Sequence, residues 1–239
     1  MHLSPTPIDI WIVTNLARLL GRFPIFDRGI QSAIGHHVLG GFWFAASLFV
    51  IWMQAARGGH TGERRRILTI LLGSVLASVL VVVTSMLVVW PSPNQHATLS
   101  RLFPRYLYDN PNHTSFPSAS TALYSCVALG VMSVRRRLGW TLLASVVLLV
   151  ALPRMYVGGH YLSDVVAGLV LGLVSYIGAR CLLEARVVPV AERFLSEESR
   201  FRVLGELLVF AWIWQVAVEF REVVWGKNSL EYLFHYFIP

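Results

Sequence analysis

Charge is scarce in this chain. Only 14% of its 239 residues are Asp, Glu, Lys or Arg, while 55% are hydrophobic. A soluble domain of this length needs a charged surface that this composition does not supply. Lysine is almost absent: Lys227 is the only one, so the basic residues are nearly all arginine. Cysteine is rare, with Cys126 and Cys181 alone, both in apolar segments. That spacing excludes a disulfide framework or a cysteine metal site and leaves both as apolar filler. The opening MHLSPTPIDI has no basic stretch ahead of an apolar core, so no cleaved signal peptide is expected. Carboxylates do not cluster in a way that offers a divalent cation hard ligands, so no metal and no cofactor are expected. There is no internal repeat and no low-complexity segment.

What the chain has is long apolar runs. Several exceed the roughly 20 residues that cross a bilayer as a helix. The fold class expected is all-α, a polytopic transmembrane helix bundle of about six spans, in one membrane-embedded domain over 1–239. Residues 9–22 are short and broken by Asn15, Arg18 and Arg22, which reads as an amphipathic interfacial helix, with Pro24 interrupting the chain after it. The spans are expected near 30–56, 67–90, 117–134, 138–153, 160–180 and, least regular because of Glu206, Gln215 and Glu219, 203–224. The stretch 184–202 reads as a polar connection between the last two.

The net charge of +7 would raise nucleic-acid binding in a soluble protein, but here the arginines cluster between apolar segments. The groups at Arg57 and Arg64–Arg66, at Arg135–Arg137, and at Arg180, Arg186 and Arg193 fall on one side of a six-span arrangement. The positive-inside rule makes that side cytoplasmic. Trp52, Trp90, Trp140 and Trp225 lie near span ends, as interfacial aromatics do. Loops 91–116 and 154–160 then face outward, and they carry Arg101, Arg105 and Arg154 against the bias. Arginines on the wrong side point to an anion to be held.

Residues 153–164 read PRMYVGGHYLSD. His160 and Asp164 are four apart and would share a helix face, so the carboxylate can accept the imidazole N–H and fix the tautomer. The other ring nitrogen would then be free as a nucleophile. Arg154 offers a planar fork for phosphate oxygens, and Gly158 and Gly159 let the backbone approach a ligand. Residues 114–124 read TSFPSASTALY. Ser115 or Ser118 can cap the third span, Pro117 suits a first helical position, and the exposed N–H groups of such a start form an anion site.

These two runs resemble signatures of the type 2 phosphatidic acid phosphatase superfamily. Arg154, His160 and Asp164 match the third signature in full. The run from Ser115 to Ser120 is similar to the second, except that Ser120 stands where the family has a histidine that protonates the leaving group. The first signature is degenerate: Arg105 is its best counterpart, Tyr106 replaces the usual proline, Thr98 stands in the lysine position, and Arg101 is a nearby cation. The resemblance covers roughly residues 10–180, with a phosphatase-like core over 30–183. It implies that His160 attacks phosphorus to give a phosphohistidine. Arg154, Arg105, Arg101 and the chain around Ser118, Ala119 and Ser120 would hold phosphate, and Asp164 would orient His160. His113 could replace the missing acid.

A phosphate leaving group has a second pKa of about 6 and departs without a proton, whereas a lipid alkoxide does not. Ser120 therefore favours a lipid diphosphate, such as a polyprenyl diphosphate. The partners expected are membrane lipids carrying phosphate or diphosphate, with no nucleic acid. A lipid-to-lipid phosphotransferase, for example onto a lipopolysaccharide anchor, and a non-catalytic lipid-phosphate binder or transporter are the alternatives. The arginine-rich, lysine-poor composition hints at a GC-rich bacterial genome, and the expected location is a bacterial inner membrane with the site facing the periplasm or exterior. His36 and His37 read as a paired hydrogen-bonding couple, with a functional intramembrane pair as the alternative, and Glu206 and Glu219 as interfacial residues, with the lining of a cavity as theirs.

Overall fold

The computed structural model describes residues 5–35, 37–88, 90–103, 114–196 and 200–219, with the backbone alone at 33, 35 and 37–39. His36, Arg105, Tyr106, His113 and Trp225 lie outside the described residues, as does the side chain of His37.

Among the described residues every regular element is a helix: α1 Pro7–Ala17, α2 Pro24–Gly35, α3 His37–Gly58, α4 Thr61–Leu87, α5 Ala119–Val134, α6 Arg136–Tyr156, α7 Leu162–Leu195 and α8 Arg202–Ala217, plus a 3-10 turn at Leu99–Leu102. The protein is thus all-α. Helices α4, α6 and α7 are long and apolar enough to cross a bilayer, while α5 is apolar but shorter. Their outward faces carry Val147, Leu148, Leu149, Val166, Val170 and Ile177, all exposed, a distribution suited to an apolar solvent.

Inside, Phe44, Leu48 and Ile51 of α3 meet Ile67 and Ile70 of α4, Tyr124, Val127 and Val131 of α5, Val146 of α6, and Ile213 and Val216 of α8 in one buried core. Phe44 and Tyr124 stack with ring centroids 4.3 Å apart. Proline shapes α6. Pro153 has no N–H for the ladder and its ring clashes with the carbonyl one turn back. The helix takes a π turn over Val146–Ala151, immediately upstream, and so absorbs the mismatch.

Helix α5 carries the Ser-Phe-Pro-Ser run at its start and packs on α7, which begins just after His160. The contact is very close because α7 presents Gly168 and Gly172 to it, a small-xxx-small spacing. A Cβ on Gly168 would lie 2.7 Å from the Ser118 carbonyl oxygen, and one on Gly172 would lie 1.9 Å from Ser125 Oγ and 2.5 Å from the Ala122 carbonyl oxygen. This spacing went unused in the sequence reading, and it sets the distance between the two signature runs.

The far end of the bundle is knitted by charge. Arg64 pairs with Glu206, whose other oxygen accepts the Trp52 indole N–H at 2.8 Å. Arg65 pairs with Glu184 at 3.1 Å, and Arg135 with Glu63. Glu206 is therefore an interhelical tie at that end of the bundle. The helix bounds also correct the expected polar connection 184–202. Residues 184–195 continue α7, because Val188 and Leu195 are buried on one face while Glu184 and Glu192 reach Arg65 on the other. Pro189 inside that helix had obscured the pattern.

Helix α1 is shorter than the expected 9–22, and it lacks the polar outer face of an amphipathic helix. Its inward stripe is Asp9, Val13 and Ala17, while Ile8, Ile10 and Trp11 are exposed.

Gly172→Leu is expected to lower the thermal midpoint in detergent by an amount equivalent to at least 1–3 kcal/mol, because overpacking here meets backbone. Gly178→Ala, whose Cβ would meet only the end of Leu76 at 3.1 Å, is expected to be near neutral. Equal losses from the two changes would refute this account of the α5–α7 contact.

Candidate active site

His160 lies just ahead of α7, not on it, so it and Asp164 do not share a helix face as expected. The imidazole Nδ1 is 2.9 Å from the carbonyl oxygen of Ser115 and 3.5 Å from Asp164 Oδ2. A carbonyl only accepts, so Nδ1 carries the proton and Nε2 the lone pair. Among the described residues Nε2 has no hydrogen-bond partner. The tautomer is therefore set by the Ser115 carbonyl, with the Asp164 carboxylate behind it. Ser115 is itself fixed: its N–H donates to the Trp90 carbonyl at 2.8 Å.

Asp164 is fully buried and has a second task. Its Oδ2 accepts the Tyr161 N–H at 2.8 Å, which closes the first turn of α7 in the manner of a capping box. Its backbone carbonyl accepts the Ser118 N–H at 3.1 Å and thereby joins the two signature runs directly. Its Oδ1 has no partner among the described residues. The Tyr161 hydroxyl beside it is buried and likewise unpartnered there. Burial and the Asp164 and Asp9 carboxylates push its pKa well above the ordinary tyrosine value.

The connection from α6 to His160 is a tight turn. Gly159 N–H donates to the Arg154 carbonyl at 2.8 Å, and Gly158 has φ +77°. A Cβ at Gly158 would press on the Phe103 ring at 2.8 Å, and its carbonyl accepts the Asn94 N–H at 3.0 Å. Loop 91–103 is thus seated on the turn that carries His160. Arg101 stands exposed on the 3-10 turn beside it and makes no hydrogen bond to Arg154, Ser120 or His160.

At the start of α5 the helix begins at Ala119, so Pro117 precedes the helix instead of opening it. Ser118 is the N-cap residue, but its hydroxyl pairs with Thr121 Oγ1 at 2.9 Å and makes no capping bond. Since its N–H is taken by Asp164, the N–H groups left to receive an anion are those after it. Ala119 is exposed there and Ser120 is buried.

The largest departure from expectation is Glu219, just beyond α8. Its Oε1 accepts from Arg154 Nη2 at 2.8 Å, and its Oε2 accepts from the Ser120 hydroxyl at 2.6 Å. The sequence favoured an interface over the lining of a cavity for this residue; the structure places it, half-buried, between Arg154 and Ser120 of the second signature. Nothing local in the sequence signals this, because the partners lie 65 and 99 residues away along the chain. Asp9 is the second missed residue. Its Oδ1 accepts the Ser163 N–H at 2.9 Å, capping α7 from outside, while Oδ2 accepts the Thr6 N–H at 3.0 Å. Here a signal existed, since Thr-Pro-Ile-Asp at 6–9 has capping-box spacing.

The family model described as the PAP2 superfamily matches residues 66–187, about half of the chain. The chain belongs to the PAP2 superfamily. No curated protein and no solved structure matches. As a PAP2 superfamily member, the chain is in a group that generally hydrolyses phosphate esters and acts on phosphorylated lipids. The matched segment contains both signature runs. Asp9 and Glu219, which reach into the same site, lie outside it.

Asp9→Ala strips the Ser163 N–H of its buried acceptor and is expected to cost about 1–3 kcal/mol. A lower thermal midpoint in detergent, largely restored in Asp9→Asn, would bear this out. An unchanged midpoint would show that α1 does not hold the start of α7.

Proposed function

We propose that this PAP2 superfamily member is an integral-membrane lipid phosphatase that works through a phosphohistidine at His160. The observation that carries the reading is the tautomer: with the Nδ1 proton committed to the Ser115 carbonyl, Nε2 holds an unshared pair. Phosphoryl transfer asks mainly for positioning and for cations at the equatorial oxygens. Arg154 supplies the fork, and the N–H groups of Ala119 and Ser120 at the start of α5 supply a helix N-terminus. Arg105 and Arg101 are further cations on the outer loop. Asp164, 3.5 Å from Nδ1, stabilises the positive charge that develops on the ring.

The preferred substrate in this reading is a lipid diphosphate, such as a polyprenyl diphosphate. A departing phosphate needs no proton, whereas a lipid alkoxide does. Six spans follow if α3, α5 and α8 cross together with α4, α6 and α7. The arginines Arg64, Arg65 and Arg135 all lie at the bundle end opposite His160. That separation supports a cytoplasmic arginine end and an outward-facing site, in a bacterial inner membrane.

The test is phosphate release in detergent from matched mono- and diphosphate lipids. The diphosphate is expected to turn over faster, His160→Ala to abolish both reactions, and an acid-labile phosphoryl group to be trapped on the unaltered protein alone. Phosphate release that persists in His160→Ala would overturn the reading. Release only when a second lipid is present would make the protein a phosphotransferase.

A further inference from the structure

We infer that Glu219 is the proton donor of this site, a carboxylic acid delivered by the C-terminal helix to the place where the second signature lacks its imidazole. The inference rests on the phosphohistidine reading above and adds a catalytic residue to it.

Three observations converge on Glu219. First, its carboxylate bridges Ser120 Oγ at 2.6 Å and Arg154 Nη2 at 2.8 Å. The carboxyl thus sits beside the residue that stands in for the missing acid and beside the fork that would grip the phosphate. Second, the approach of its segment is built in. Gly41 of α3 has no side chain to block it: a Cβ there would lie 2.1 Å from the Ala217 carbonyl oxygen and 2.4 Å from the Tyr124 hydroxyl. Third, Glu219 is the one non-glycine among the described residues with positive φ, at 57°. A glutamate held in the left-handed region is uncommon, and such backbone tends to collect at working sites.

The chemistry follows from competition for Arg154. Without substrate the arginine holds Glu219 as a carboxylate. A phosphate that takes the fork removes that cation and sets a second anion beside the carboxyl. Two anions so placed do not both stay fully ionised, and a proton that arrives with the phosphate monoester is retained by the pair.

In the first step the Nε2–P bond of His160 forms and the bond from phosphorus to the leaving oxygen breaks. The electron pair goes to that oxygen, which takes the proton from Glu219 and departs as the lipid alcohol. The Nδ1 proton stays on the ring, shared with the Ser115 carbonyl. In the second step a water oxygen bonds to phosphorus, the N–P pair returns to Nε2, and the water proton passes to the Glu219 carboxylate. Inorganic phosphate leaves as the dihydrogen anion, carrying that proton from Glu219, and Arg154 takes Glu219 back as the carboxylate. Diphosphate cleavage, whose leaving group is itself a phosphate, depends little on this proton; monoester cleavage depends on it strongly.

The test compares Glu219→Gln with the unaltered full-length protein in detergent on two donors. A long-chain alkyl phosphate has an alkoxide that needs a proton. For p-nitrophenyl phosphate the departing phenolate does not. Loss of a general acid is expected to lower kcat/KM about 10²–10⁴-fold on the alkyl phosphate and less than about tenfold on the aryl phosphate. The aryl rate also reports that the variant is folded. Ser120→His added to Glu219→Gln is expected to raise the alkyl-phosphate rate by a larger factor than the aryl rate, whereas repair of a packing defect would raise both by the same factor.

Equal losses on both donors would overturn the inference. So would a gain on both, which would make Glu219 a plug in the arginine fork. If His160→Ala abolishes activity while Glu219→Gln shows no selectivity, this inference alone falls. If His160→Ala stays active, the phosphatase reading falls first.

Discussion

The site depends on how closely α5 and α7 approach. Gly168 and Gly172 remove two side chains from the interface, and the backbone of one helix then rests on the other. At that separation the Asp164 carbonyl reaches the Ser118 N–H, and the Ser115 carbonyl reaches His160 Nδ1. Inside a bilayer no hydrophobic force drives helices together, since lipid tails are as apolar as leucine. Close packing of small residues and bonds between polar backbone atoms take over that role. The second of these bonds, from His160 Nδ1 to the Ser115 carbonyl, also chooses the histidine tautomer, so packing and tautomer share a contact.

Around this junction the chain adds supports from segments remote in sequence. Asp9 caps α7 from the N-terminal helix, Phe103 seats the Gly158 turn, and Glu219 ties Arg154 to Ser120 from beyond α8. The first and last of these lie outside the part of the chain shared with the PAP2 superfamily. The candidate site is thus assembled from the matched segment and from residues on either side of it. The opposite end of the bundle is held differently, by arginine–carboxylate pairs that gather Arg64, Arg65 and Arg135.

Buried polar atoms are concentrated near His160. Asp164 Oδ1, the Tyr161 hydroxyl, Ser163 Oγ and Trp90 Nε1 find no partner among the described residues. Such atoms are costly to bury, and their grouping fits a site that admits polar ligands or water. The Tyr161 hydroxyl, kept neutral by burial and two carboxylates, does not compete with His160 as an anion.

The sequence by itself determined the helical class, the membrane habit, and the run from Arg154 through His160 to Asp164. Apolar length and a local spacing are short-range properties that survive without coordinates. It also determined that position 120 holds a hydroxyl that cannot act as an acid at neutral pH. Helix ends were less legible, as Pro189 inside α7 shows, because packing overrode a local breaker. The tertiary structure alone decided that Ser115, not Asp164, receives the imidazole proton, and that Glu219 rather than solvent faces Arg154. Those pairings join residues far apart along the chain. No local pattern encodes them, since they arise only when glycine contacts bring helix backbones within van der Waals reach.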